Sequence, residues 1–247
     1  MINIVIPLAA SKLDDDNENF LYPLPLVDIQ GRALIEYLLE NLNKIDDEKR
    51  FIFVLKQSDC KRFHLDNTLR QLVNSSTFIR INGQTKGAVC SILLSIDNIE
   101  KSDELIIVNS DQVIDVDYNI VLNKFRTVNA DGGLITFPSV HPRWSFVRLD
   151  NHVVVETAEK NPISNKAIAG FYYFKKAIDF IEGAFDVIKF DDNVLGNYYT
   201  SSVYNQMILN GKKIETFEIP KDAYHSFYSP QKIKEFEEFL KLTHGKV

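Results

Sequence analysis

Short apolar runs alternating with helical patterns constrain this chain more than any other feature. Ile2–Ile6, Phe51–Leu55, Thr77–Ile81 and Leu105–Val108 are rich in β-branched, aromatic and aliphatic residues over lengths suited to strands, and Pro7 ends the first. Between them, Ala33, Ile35, Leu38, Leu39 and Leu42 recur at helical spacing. So do Phe63, Leu65, Leu69, Leu72 and Val73, and then Val89, Ile92, Leu93 and Ile96 within Gly87–Ile96. Strand and helix in this alternation predict an α/β fold, with a mixed, mostly parallel sheet flanked by helices on both faces.

After Asp131 the texture changes. Gly132–Phe137, Ser145–Leu149, Val153–Glu156 and Ile168–Phe174 are strand-like, with an Asp150-Asn151 turn between the second and third. They predict an antiparallel extension of the same sheet. Helices are expected over Ala177–Val187 and Ser201–Leu209, a strand over Lys213–Ile219, and a last helix over Ser229–Leu242. Ser229-Pro230 supplies the N-cap and first-turn proline of that helix. With no internal repeat or long linker, one domain over residues 1–247 is expected.

Composition narrows the partners. A formal net charge of -6 argues against a nucleic-acid binder, which would carry a basic patch. No apolar run approaches the roughly 20 residues of a membrane span. Met1–Pro7 lacks the basic region and cleavage site of a signal peptide, so it reads as a first strand. Cys60 and Cys90 have no metal-like spacing and are expected to be free thiols in a reducing cytoplasm.

Four segments could carry chemistry. The strand Leu105–Val108 ends in Asn109-Ser110-Asp111-Gln112. Ligands of open α/β sheets sit beyond the carboxyl ends of strands, so Asp111 is placed to hold a divalent metal against a phosphate or, equally, to cap a turn. Asp115 and Asp117 follow, either as a second acidic shell or as caps of a helix beginning near Val116. In Gly83-Gln84-Thr85-Lys86-Gly87-Ala88 the glycines would let backbone approach a planar ring, and Gln84 could read a base edge. The amides of a helix starting there would favour an anion. Glu159 in Thr157–Ser164 can accept from sugar hydroxyls, and Lys160 supplies a point charge for a phosphate, unless the segment is a salt-bridged surface turn. Gly170, inside the strand Ala169–Phe174, marks close approach of a ligand or of core side chains.

In this order and at these intervals the segments closely resemble the sugar-1-phosphate nucleotidyltransferase family, most strongly its branch in bacterial capsule and lipopolysaccharide gene sets. The resemblance runs through Ile4–Pro7, Pro23–Ile35, Gln84–Ala88, Asn109–Gln112, His141–Phe146, Glu159–Ile163, Gly170–Phe174 and Ser229–Pro230. It implies a GT-A-like fold, with a nucleotide-binding half over about 1–130 and a sugar-binding half over about 131–247. The implied ligands are an NTP or nucleotide sugar and a sugar 1-phosphate. The implied reaction moves NMP to the sugar phosphate with release of pyrophosphate, aided by Mg2+. By the same resemblance Asp111 is the metal ligand and, with Lys12, a catalytic residue. Leu8, Ala9, Ala10, Gln84, Gly87 and Ala88 would contact the nucleotide, and Glu159, Lys160 and Gly170 the sugar phosphate.

The departures from the family pattern fall on the phosphate side. The loop Leu8–Asp16 has neither the glycines nor the arginine of the family, and Lys12 is its nearest cation. Leu24, in Pro23-Leu24-Pro25, stands where the family has a lysine. Ser226 stands at a second metal-binding carboxylate, and Asp14, Asp15 and Asp16 crowd the triphosphate position. Three readings stay open. One is a divergent enzyme using cations such as Lys12, Lys56, Lys86 or Arg143, with a second metal at Asp14–Asp16. The others are a binding homologue without transfer activity, for instance a regulatory subunit, and a GT-A-like glycosyltransferase in which Asp111 would bind the metal of a ready-made nucleotide sugar, kept open by the Asp-x-Asp of Asp115-Val116-Asp117. Tyr224, Phe227 and Tyr228 could belong to the core or to a homo-oligomer interface.

Overall fold

The computed structural model describes residues 1–10 and 22–244. Lys12 and Asp14–Asp16 lie outside the described residues. Four parallel strands form the centre: β1 (Ile2–Pro7), β4 (Lys49–Lys56), β5 (Ser76–Ile81) and β6 (Glu104–Val108), in spatial order β5-β4-β1-β6. The runs Ile4–Ile6, Phe51–Leu55 and Leu105–Val108 are apolar because both faces are covered, whereas β5, at the edge, is mostly half-buried and exposes Arg80. Ile4, Ile6, Phe53 and Val108 point into one buried cluster, and Val5, Ile52, Val54 and Ile107 into the other.

The first cluster is closed by α1 (Leu34–Asn43), α2 (Gln57–Phe63), α3 (Leu65–Leu72) and α5 (Tyr118–Thr127). The second is closed by α4 (Ala88–Leu93), α6 (Ala177–Lys189) and α7 (Thr200–Leu209). The segment from Phe63 to Val73, expected as one helix, is two. His64 takes a left-handed conformation (φ 55°) that ends α2 and starts α3. Gly87–Ile96 yields only the six-residue α4, followed by a 3-10 turn at Ile96–Asn98. Asp117 caps α5, its side chain accepting from the Asn119 amide at 2.8 Å.

The strands after Asp131 join the same sheet, as expected. β11 (Lys166–Phe174) runs antiparallel to β6, β8 (Gly132–Pro138) and β9 (Ser145–Asp150), and β10 (Val153–Glu159) pairs with β9. Asn151 and His152, at φ 47° and 70°, form the tight turn joining β9 to β10. β12 (Ile214–Glu218) runs parallel to β8.

Two short pieces escape the periodicity argument. They are the hairpin β2–β3 (Asp28–Ile29, Arg32–Ala33) and an antiparallel ribbon of β7 (Gln112–Ile114) with β13 (Tyr224–Ser226). A third apolar cluster joins Leu24, Ile29, Val113 and Phe227 to Ile233, Phe236 and Leu240 of α8 (Pro230–His244). Phe227 is therefore core. Cys60 is buried and Cys90 half-buried, both as free thiols. No helix among the described residues is long and apolar enough to cross a membrane.

Candidate active site

The sheet fixes where a ligand can go. From β1 the chain moves outward on one side to β4 and β5, then returns to place β6 on the other side. Connections diverge at that point, leaving a crevice beyond the carboxyl ends of β1 and β6. Pro7 and Asn109–Asp111 line it.

Asp111 is half-buried and held by its backbone, its carbonyl accepting from the Phe227 amide at 2.8 Å. The β7–β13 pairing brings Ser226 opposite Gln112. Gln112 is fully buried: its Nε2 donates to the Ala169 carbonyl at 2.7 Å and its Oε1 accepts from the Tyr224 hydroxyl at 2.9 Å. Gly170 completes this junction at φ 58°. A Cβ there would overlap Gln112 Oε1 and lie 2.7 Å from Asn109 Nδ2. The register of β11 against β8 slips between Ile168 and Tyr172, at this glycine. Gly170 thus serves the packing of the Asp111 loop as well as lining the crevice.

Glu159 arrives from the antiparallel half, at the end of β10. Ser145 Oγ, from the facing position on β9, and Ser201 Oγ (2.9 Å) both donate to its carboxylate. Burial raises the carboxyl above its ordinary value, opposed by those two hydroxyls and by the Lys160 charge. Helix α7 is bolted beneath: Asn205 Oδ1 accepts from the Thr157 amide at 2.8 Å, and Thr157 Oγ1 donates to the Ser201 carbonyl at 2.7 Å. The buried Tyr172 phenol has its pKa raised, by burial first and then by Glu159. Glu159 is consequently a buttressed, half-buried acceptor and not a member of a salt-bridged surface turn. Lys160 takes a left-handed backbone (φ 55°), its amide donates to the Trp144 carbonyl at 2.9 Å, and its ammonium lies 5.3 Å from the Tyr199 ring centroid.

On the third side, Gly87 (φ 95°) meets protein backbone. A Cβ would lie 2.8 Å from Tyr198 N, and the Tyr198 amide donates to the Lys86 carbonyl at 2.9 Å. The Val89 amide already donates to the Tyr198 carbonyl at 3.3 Å, so this early amide of α4 is engaged within the protein.

Together these segments line a cavity of about 580 Å³. It brings together six residues singled out in the sequence: Asp111, Glu159, Lys160, Gly170, Gly87 and Ala88. Leu8 and Ala9 are buried in the two core clusters, leaving backbone as what they offer a ligand, and Ala10 ends a 3-10 turn. Gln84 is exposed and does not line the cavity. Asn109, Arg143, Trp144 and Ser145 do line it, although sequence reasoning gave them no role of their own beyond naming Arg143 among substitute cations. The motif His141–Phe146 was the signal for the last three, and Asn109–Gln112 for Asn109.

The donor set also bears on metal binding. Among the described residues no three His, Cys, Asp or Glu side chains are grouped to enclose a metal. Asp111 alone fits the mode in which Mg2+ is held by one or two carboxylates plus substrate phosphates, and it fits no all-protein cage.

The sequence profile of the nucleotidyl transferase family matches residues 21–193, a span that takes in Asp111, Glu159, Lys160 and Gly170. The chain belongs to the nucleotidyl transferase family. Its sequence is 24% identical, over 160 residues, to a Sulfolobus acidocaldarius protein named as a mannose-1-phosphate guanyltransferase. That match covers 63% of this chain but 44% of the relative, so the chain spans less than half of that protein's length. Its fold is similar to the nucleoside-diphosphate-sugar pyrophosphorylase of Vibrio cholerae RC9, with a TM-score of 0.80 at 19% identity over 96% of this chain and 100% of the other. UTP-bound UDP-glucose pyrophosphorylase from Acinetobacter baumannii superposes with a TM-score of 0.73 at 16% identity, covering 100% and 95%. At these identities the nucleotidyl transferase fold is what the structures share.

Proposed function

We propose that this nucleotidyl transferase acts on a sugar 1-phosphate, accepting NMP from an NTP with release of pyrophosphate, in the cytoplasmic synthesis of surface polysaccharide. The observation carrying this reading is the cavity in which the Asp111 loop of the parallel half faces Glu159, Lys160 and Gly170 of the antiparallel half. Glu159, desolvated and steadied by Ser145 and Ser201, is built to accept hydrogen bonds from sugar hydroxyls. Lys160 gives the adjoining phosphate a charge partner. Gly170, Gln112 and the Phe227 amide fix the backbone around Asp111 before a ligand arrives. Mg2+, when held at Asp111 and the phosphates, would neutralise charge as pyrophosphate leaves. The chain's own work is then positioning, which phosphoryl and nucleotidyl transfer chiefly require.

A second reading, ligand binding without transfer, is favoured by Leu24. At the position of the family's lysine this side chain is 1% exposed, packed with Phe227 and Phe236. One experiment separates the two. The protein is incubated with Mg2+, each NTP and a panel of sugar 1-phosphates; pyrophosphate release is measured alongside calorimetric binding. Release with one base and one sugar phosphate is expected, together with loss of Mg2+-dependent binding in Asp111→Asn. Binding without release across the panel would leave the second reading, and unchanged metal dependence in Asp111→Asn would reduce Asp111 to a turn residue.

A further inference from the structure

The connection from β8 to β9 carries Arg143 to the boundary of two cavities. One is the ligand cavity described above; the other, about 610 Å³, is lined by Lys221, Asp222, His225, Lys232 and Glu235 among others. Arg143 lines both, with Trp144, Tyr224 and Tyr228. Its guanidinium carbon sits 3.4 Å from the centroid of the Tyr228 ring and 5.8 Å from that of Trp144. The backbone is fixed too: the Arg143 amide donates to His141 Nδ1 at 3.3 Å, and the carbonyl of the next residue, Trp144, accepts from the Lys160 amide at 2.9 Å. Among the described residues no carboxylate lies within ion-pair distance of the guanidinium, a state it shares with Arg62 and Arg70, which sit over Phe63 and Phe78 and do not line the cavity; Arg32, Arg50, Arg80, Arg126 and Arg148 are each ion-paired.

A guanidinium stacked by its face keeps its N–H donors around its edge, in one plane. Such a fork, fixed by a ring and ion-paired to no acid of the described residues, is preorganised for a two-oxygen contact with phosphate. The cavity beside it holds the carboxylates of Asp111 and Glu159, and Lys160 as its other cation. A phosphate entering there needs a second positive group, and Arg143 is one residue from the backbone tie to Lys160.

We infer that Arg143 grips the phosphate of the sugar phosphate in this cavity, as the bidentate partner of Lys160. The inference rests on the proposal that the cavity takes a sugar phosphate. Trp144, the only tryptophan of the chain, reports on it directly, because it adjoins the guanidinium.

The test titrates the full chain with mannose 1-phosphate, glucose 1-phosphate, UDP-glucose and the free sugars, following Trp144 fluorescence and heat. Arg143→Ala should weaken a phosphorylated probe by roughly 10- to 100-fold, the loss expected for a charged hydrogen-bonded contact. Arg143→Lys should recover part of that, and free-sugar binding should not move. Weakening of UDP-glucose alone would assign the grip to a diphosphate instead of a monoester and overturn the inference as stated. Unchanged affinity of Arg143→Ala for every phosphorylated probe would overturn it too, while the proposed substrate class stands. Failure of the unmutated protein to bind any of these probes would overturn both. Binding without pyrophosphate release would remove only the transfer reading.

Discussion

Gly170→Ala is the sharpest test of how the Asp111 loop is held. Two separate costs are expected. At φ 58° an alanine adopts the left-handed region, at roughly 1–2 kcal/mol. Its Cβ also overlaps Gln112 Oε1 and approaches Asn109 Nδ2, and Gln112 cannot retreat because both ends of its amide are bonded, to Ala169 and Tyr224. Forcing extra volume into such packing costs typically about 1–3 kcal/mol. Alanine also restricts the unfolded chain, which returns roughly 0.4–1 kcal/mol. The net expectation is a destabilisation of about 2–4 kcal/mol, or about 4–16 °C in Tm for a chain of this size. Gly211→Ala is the matched control, since Gly211 has φ 73° and an added methyl there would meet nothing within 4 Å. It carries the backbone cost alone. Thermal melts and urea titrations of both variants measure the difference. Equal losses in the two would refute the claim that Gly170 is fixed by the Gln112–Asn109 contact.

Two further substitutions test the site's charges. The Glu159 carboxyl is raised by burial above its ordinary 4.5, so the fold favours its protonated form. That contribution is present below pH 4.5 and is lost as pH rises through the raised value, whereas Glu159→Gln loses nothing. Melts at increasing pH should therefore show the Tm of the unliganded protein falling relative to the glutamine variant; a constant gap, or the opposite trend, would contradict the assignment. Leu24→Lys, which introduces the residue type that the family resemblance implies there, should lower stability by about 3 kcal/mol or more, because it places an ammonium among Phe227, Phe236 and Leu240. A stable Leu24→Lys protein with faster pyrophosphate release would show that the side chain can turn toward the phosphates.

Much of the frame was legible because strand runs report burial directly. The parallel centre and the antiparallel strands after Asp131 followed from Ile2–Ile6, Phe51–Leu55, Leu105–Val108 and their successors, where apolar side chains mark coverage on both faces. The β7–β13 ribbon was not legible. Each strand is three residues long, and its partner lies over a hundred positions away, so no local period betrays it. The break at His64 was hidden for a different reason: Phe63, Leu65, Leu69 and Leu72 keep helical spacing across it, while the left-handed residue between two helices leaves no apolar signature. At the site, Asp111, Glu159 and Lys160 were readable as charged residues at ends of strand-like segments. Arg143 and Trp144 were harder to assign because their roles come from a connection that folds against Tyr228 and Lys160, contacts set by tertiary structure.

The placement of charge suggests how a member of this family with Leu24 in its core could still handle phosphate. Asp111 and Glu159 contribute two carboxylates to the cavity, and Lys160 and Arg143 contribute two cations. With both acids ionised the walls are close to neutral, so an incoming phosphate finds attraction only where a cation is nearer than an acid. Glu159 reduces the conflict in two ways: burial favours its neutral form, and when ionised it is already solvated by Ser145 and Ser201. Sugar hydroxyls donating to Glu159 would reverse the first effect, stabilising the carboxylate and expelling its proton on binding. On the proposed sugar-phosphate reading, the two ends of the ligand would therefore be coupled through one ionisation. A sugar 1-phosphate titrated calorimetrically in buffers of different ionisation enthalpy should release more protons at acidic pH from the unmutated protein than from Glu159→Gln, whose remaining release comes from the second ionisation of the phosphate itself. Equal release by the two proteins would place all of it on the phosphate and remove the Glu159 ionisation from binding.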